Sequence, residues 1–152
     1  MEKNKSVHVD SGCLDMAELA LDGRLRVIFA GLTAVIREHR PDEVAIEKIF
    51  MSRNADSAIK LGQARGVAIV AAAMCDVPVY EYSPNEIKLA VVGRGHATKD
   101  QVQHMVKVLL TLQGALRADA ADALAVAICH GHTRQTLALM AGAHGARAGR
   151  WL

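Results

Sequence analysis

Three carboxylates are the residues of this chain best placed to do chemistry. Glu47 ends the short apolar run 44–47, and Asp119 and Asp122 lie three apart in an alanine-rich stretch. Acids beside segments that should be buried are costly unless they are paired, protonated or bound to a cation. Carboxylate oxygens suit Mg²⁺, and two such ions about 4 Å apart can promote phosphodiester hydrolysis. If the three acids converge, they indicate a metal-dependent nuclease.

Each acid alone also has an ordinary explanation. Asp119 and Asp122 share one face of a helix, and aspartate is favoured in a first helical turn, where it meets the positive end of the dipole. Glu47 could simply be the first solvated residue after a buried strand. The residues by themselves leave both interpretations open.

The elements that must position these acids alternate between strand and helix, which predicts an α/β domain. Apolar residues at helical spacing predict a helix from Leu21 that ends before Pro41. The remaining predicted elements are a weak strand at 7–9, a strand at 43–47, a helix at 54–75, a strand at 77–82, helices opening at Ser83-Pro84 and at Thr98, and a helix at 119–140. We expect one domain, 1–142, and a flexible Gly/Ala/Arg-rich tail, 143–152.

Composition favours a cytoplasmic protein of ordinary globular type. Of the 152 residues, 51% are hydrophobic and 22% charged, and no apolar run is long enough to span a membrane. The start of the chain has no secretory pattern. Cys13, Cys75 and Cys129 are odd in number, so reduced thiols are expected. The net charge of +2 allows a nucleic-acid partner without indicating one.

Several runs in fixed order carry a resemblance to a known family. They are Val44-Ala45-Ile46-Glu47, Asn54-Ala55-Asp56-Ser57, Leu61-Gly62-Gln63-Ala64-Arg65-Gly66, Val91-Val92-Gly93 with Gly95, Lys99-Asp100-Gln101-Val102-Gln103, and Ala118-Asp119-Ala120-Ala121-Asp122-Ala123-Leu124. The chain resembles the RuvC family of Holliday-junction resolvases. The resemblance implies an RNase H-like fold with a mixed sheet flanked by helices, and a Mg²⁺-dependent endonuclease with two ions per site. It implies symmetric nicking of four-way junctions in recombination and repair by a homodimer, with branch-migration partners of the RuvA and RuvB families.

The same resemblance assigns roles to six residues. Glu47, Asp119 and Asp122 match family metal-binding acids. Phe50 matches an aromatic residue at the junction's opened base pairs, and Lys88 and Lys99 match basic residues near the scissile phosphate. A planar side chain can stack on unpaired bases, and lysine supplies a point charge to phosphate.

The chain departs from the family pattern at its start. The family opens with strands that carry a first catalytic aspartate, and we expect this chain to lack them. The alternative function is therefore a junction-binding or dimerising remnant without catalysis. A third hypothesis makes Asp10 a substitute for that aspartate; its ordinary interpretation is an acid at a strand end.

Four other features have competing explanations. The run 93–98 could be a dinucleotide fingerprint, but its missing third glycine favours a DNA-facing loop. The run Cys129-His130-Gly131-His132 could bind a transition metal, but a helix end with histidine near the negative end of its dipole is the commoner explanation. Gly62 and Gly66 could serve packing within one subunit or an interface between two. Arg147 and Arg150 are expected in a solvated tail, with a specific DNA contact as the alternative.

Overall fold

The computed structural model describes residues 5–16, 18–49 and 54–148, with side chains of the last helix described as far as Gly142. The elements are α1 (Leu21–His39), β1 (Val44–Glu47), α2 (Ala55–Met74), β2 (Val79–Tyr82), α3 (Pro84–Val92), α4 (Lys99–Leu109) and α5 (Ala118–Ala148). The predicted alternation of helices and strands is confirmed. No helix in the described ranges is long and apolar enough to cross a membrane.

Backbone contacts divide the chain into two compact units. The sheet unit is Gly12–Ser83, and the helical unit combines the start of the chain, as far as Ser11, with residues 84–152. The predicted boundary between residues 142 and 143 is not tested by this division, and the single domain 1–142 stays a prediction.

The sheet unit is built on a parallel pair of strands joined by a helix. β1 and β2 pair in register from Val44 with Val79 to Glu47 with Tyr82. Parallel neighbours need a long crossover, which α2 provides. The backbone amide of Lys48 donates to the Tyr82 carbonyl at 2.8 Å, so the ladder continues one residue past β1.

Local chemistry explains where α2 begins and where α1 ends. The side chain of Asn54 caps α2 by accepting from the amides of Asp56 and Ser57. At the other boundary, α1 ends at His39, and Arg40 follows with a φ of 48°, ahead of Pro41. α1 packs against α2, and Ala71 and Ala72 of α2 are completely buried.

The helical unit packs α3, α4 and α5 against one another. Its largest fully buried side chains are Val106 on α4 and Cys129 on α5. The predicted start of α4 is confirmed, because Thr98 and Gln101 form a reciprocal capping box. α3 begins at Pro84, as predicted for proline at the first helical position.

The predicted strand at Val7–Val9 is wrong. Residues 5–16 form neither helix nor strand, and Val7 and Val9 are 74% and 78% exposed. Alternating β-branched residues form a strand only when a neighbour completes the ladder. Among the described residues, the sheet contains only β1 and β2.

The last helix is longer than predicted. α5 continues to Ala148, beyond the expected end at Met140 and into the segment 143–152 expected to be a flexible tail. Alanine and arginine are strong helix formers, and here they outweigh the intervening glycines. Arg147 lies within this helical extension, and Arg150 is outside the described residues.

Candidate functional site

Asp119 and Asp122 lie at the start of α5, in the helical unit. The Ala121 amide donates to the carbonyl of Arg117, which places both acids in the first turns. Ala120 and Ala121, between the acids, are buried, while Asp119 is exposed and Asp122 is partly exposed. The buried alanines therefore pack this part of α5, and the two carboxylates lie near the positive end of the helix. Carboxylates in this position can bind a cation, and they are also common at a helix start.

The structure brings Lys99 to Asp122. Lys99 is the first residue of α4, and its Nζ lies 3.6 Å from Oδ2 of Asp122. Both side chains remain largely in solvent, so the pair contributes little to stability. Carboxylate oxygens open to solvent fit the ligand preference of Mg²⁺, whereas the Lys99 ammonium would compete with a metal ion for Asp122.

The two other predicted DNA-binding residues are Lys88 and Phe50. Lys88 lies on α3 beside the buried Ile87, and it is half-buried. It belongs to the same unit as Asp119 and Asp122. Phe50 lies outside the described residues, so its proposed place at opened base pairs stays a prediction.

Glu47 is the exposed last residue of β1, in the sheet unit. Its carbonyl accepts a long hydrogen bond of 3.4 Å from Nε of Arg65, which projects from α2. The Arg65 guanidinium also forms an ion pair with Glu81 of β2. The sequence alone assigned Arg65 no role, although Arg65 belongs to the run Leu61–Gly66 that contributes to the family resemblance.

Neither unit by itself gathers three or more His, Cys, Asp or Glu side chains into a metal-binding group among its described residues. Asp10, the suggested substitute acid, lies in the helical unit, where its Oδ1 accepts from the Ser11 amide at 2.8 Å. The three-acid site and the catalytic role of Asp10 both stay predictions.

The Cys129–His132 run lies within α5, so the interpretation as a helix end is wrong. The Cys129 thiol donates to the Glu86 carbonyl at 3.6 Å, and Nδ1 of His132 lies 3.1 Å from the Ala90 carbonyl. Burial, and secondarily the Glu86 charge, raises the pKa of the Cys129 thiol. These contacts hold α5 against α3.

The loop at 93–98 follows a helix, which argues against the dinucleotide fingerprint. Gly93 has a φ of 80°, and its amide donates to Leu89, as glycine does just past a helix end. A dinucleotide fingerprint would instead follow a strand. The loop's predicted role in facing DNA is not tested by these contacts.

An apolar surface runs along α2. Gly62 and Gly66 are exposed, and a Cβ at either position would meet no atom within 4 Å. The explanation of these glycines as packing within one subunit is therefore wrong for the described structure. Ile59, Val70 and Met74 extend the surface and are 62%, 50% and 72% exposed. We call these five residues the α2 face.

Comparisons with known proteins agree on one family. The family model for crossover junction endodeoxyribonuclease RuvC matches residues 2–130. Proteins of that name from Shewanella putrefaciens and Shewanella piezotolerans are 56% and 58% identical, over 93% and 91% of this chain and 82% and 80% of the relatives. A structure of Thermus thermophilus RuvC with a Holliday junction substrate has a TM-score of 0.81 at 34% identity, covering 88% of this chain and 82% of that one. A second structure, of Thermus thermophilus RuvC, has a TM-score of 0.70 at 38% identity, covering 80% of this chain and 75% of that one.

Proposed function

Because the chain belongs to the RuvC family of crossover junction endodeoxyribonucleases, we propose that it nicks four-way DNA junctions symmetrically during recombination and repair. The family is metal-dependent, and its RNase H-like fold is the one predicted from the sequence. The observation that carries the proposal is the match across residues 2–130, together with the likeness to a RuvC structure with a Holliday junction substrate.

We propose Mg²⁺ as the metal, with two ions per site, and Glu47, Asp119 and Asp122 as its ligands. When bound, such ions activate an attacking water and stabilise the leaving oxygen of a phosphodiester. The carboxylates of this chain would hold the ions, and the ions would neutralise the negative charge of the carboxylates. Support comes from the family match across residues 2–130, a range that includes all three acids, and from the two acids in the first turns of α5.

Lys99 supports the placement of DNA at this surface. Its ammonium group lies beside Asp122, so a phosphate that binds Lys99 would approach the same carboxylate. We propose that Lys99 and Lys88 bind the DNA backbone and that Phe50 stacks on unpaired bases. Lysine gives such contacts a strong dependence on salt.

We propose that the α2 face forms a homodimer interface. A second copy would cover the exposed side chains of Ile59, Val70 and Met74, while Gly62 and Gly66 would let two helices approach closely. A symmetric pair would present two active sites to a four-way junction, as symmetric nicking requires. We further propose a cytoplasmic location and partners of the RuvA and RuvB families.

Nicking of a synthetic four-way junction with labelled strands tests the proposal. We expect paired nicks that need Mg²⁺, with linear duplex left intact. Glu47→Gln should abolish nicking and retain junction binding measured without metal. Glu38→Gln changes an exposed acid near the end of α1 and should leave nicking unchanged.

Two outcomes would favour the alternatives. Junction binding without nicking at any Mg²⁺ concentration would identify a junction-binding remnant. Loss of nicking in Asp10→Asn, with binding intact, would support the substitute-acid hypothesis, and full activity would reject it.

A further inference from the structure

We propose that Arg65 is a positioning residue that holds the carboxyl end of β1, and with it Glu47, in the geometry needed for metal binding. The inference rests on the metal-binding role proposed for Glu47. The two contacts that carry it are the hydrogen bond of Arg65 to the Glu47 carbonyl and its ion pair with Glu81.

Arg65 links three elements at one end of the sheet. From α2, its Nε donates to the backbone carbonyl of Glu47 on β1, and its guanidinium pairs with Glu81 on β2. In the strand register, Glu81 lies opposite Ile46 and Glu47 lies opposite Tyr82. The two acceptors are therefore one step apart along the ladder, at the edge where β1 ends.

Burial makes this contact more than a surface ion pair. The Arg65 side chain is only 24% exposed, whereas Glu81 is 42% exposed. A mostly buried guanidinium that loses one acceptor leaves a poorly solvated charge, so both contacts tend to be kept together. A planar guanidinium can satisfy two acceptors in a fixed geometry, which the single ammonium of lysine does not reproduce.

The end of β1 needs such support because the ladder is short. β1 and β2 contain four residues each. Past Glu47, the ladder is prolonged by one hydrogen bond, from the backbone amide of Lys48 to the Tyr82 carbonyl. Lys48 itself is exposed. Glu47 thus lies where a short strand frays most readily, and a bond to its own carbonyl restrains the backbone that carries its carboxylate.

Hydrogen exchange at the two ends of β1 measures this restraint without any metal. In Arg65→Gln we expect the Lys48 amide, bonded to Tyr82 at 2.8 Å, to exchange about tenfold faster. The Val44 amide, bonded to Pro78 at 2.9 Å at the opposite end, should keep its rate. Equal acceleration at both ends would show general destabilisation, and no acceleration would show no restraint; either result overturns the proposal.

Metal dependence gives the functional readout. Loss of an outer contact to a metal ligand typically costs about 10–100-fold in metal affinity. In Arg65→Gln we therefore expect the Mg²⁺ concentration for half-maximal nicking to rise about tenfold, with nicking recovered at saturating Mg²⁺ and unchanged junction affinity. Arg65→Lys should give an intermediate shift.

Lys60→Gln is the matched control. Lys60 is the other cation of α2. It forms an exposed ion pair with Asp56, at 3.1 Å, and both members of the pair lie on α2. It should change neither the Lys48 exchange rate nor the Mg²⁺ dependence. Faster exchange of the Lys48 amide in Arg65→Gln with an unchanged Mg²⁺ dependence would overturn the positioning role. If Glu47→Gln itself keeps full nicking, the proposed function of Glu47 fails separately.

Discussion

Replacing Gly66 with arginine should separate the stability of the subunit from that of the dimer. Gly66 lies inside α2, is exposed, and has open space where a Cβ would stand. A helical glycine costs up to about 1 kcal/mol relative to a good helix former. The folded subunit of Gly66→Arg should therefore be as stable as the wild type or slightly more stable.

The dimer should respond in the opposite direction. Complete burial of an aliphatic side chain contributes about 1.5–3 kcal/mol. The exposed fractions of Ile59, Val70 and Met74, 62%, 50% and 72%, could then contribute about 3–6 kcal/mol per subunit. An arginine at the centre of this face prevents the helices from approaching, and twofold symmetry applies the change twice. A loss of about 3 kcal/mol would raise the dimer dissociation constant about 100-fold.

Sedimentation equilibrium across a range of protein concentrations measures the association, and urea unfolding measures the subunit. Gly142→Arg is the control, because Gly142 is a helical glycine of α5 that also has open space around it. We expect Gly142→Arg to keep the wild-type dissociation constant. If Gly66→Arg keeps it too, the α2 face is not the interface. If Gly66→Arg instead destabilises the subunit, Gly66 makes a contact within one chain.

Two further predictions concern the helical unit. Lys99→Gln should weaken junction binding and lower by about one the magnitude of the slope of log affinity against log salt concentration. It should cost less than about 1 kcal/mol of stability, because the pair of Lys99 with Asp122 is exposed. Anisotropy titrations at several KCl concentrations measure the slope, and an unchanged slope would contradict a phosphate contact. The raised pKa of Cys129 means that the native thiol keeps a proton that the unfolded thiol releases, so unfolding free energy should fall as pH rises through 9.0, the ordinary pKa of the thiol. Urea unfolding at pH 8 and pH 10 should show a smaller fall in Cys129→Ala, and an equal fall would show that other groups cause it.

Local chemistry was enough to predict most elements. Pro41 limits α1, Pro84 begins α3, and the side chains of Thr98 and Gln101 cap α4, because each acts through atoms within a few residues of itself. The family motifs were likewise readable, since they consist of residue types in a fixed order. The identity of the site residues followed from that order and not from any geometry.

Features that depend on a distant neighbour were not predictable in this way. Val7–Val9 has strand-forming residues but forms no strand, because a ladder needs a second strand that periodicity cannot supply. The end of the last helix, predicted at Met140, was also wrong, because α5 continues to Ala148. Helix length reflects the balance of propensities over many residues, which a single glycine or histidine does not decide.

The sequence by itself determined the family, the order of the elements from α1 to α5 and the candidate acids. Only the tertiary structure showed that Arg65 reaches the carbonyl of Glu47, eighteen residues away, and that Lys99 lies beside Asp122. It also decided that Gly62 and Gly66 face open space and not a core. The physical reason is the same in each case: side-chain type is local, whereas what a side chain touches depends on how separate elements pack.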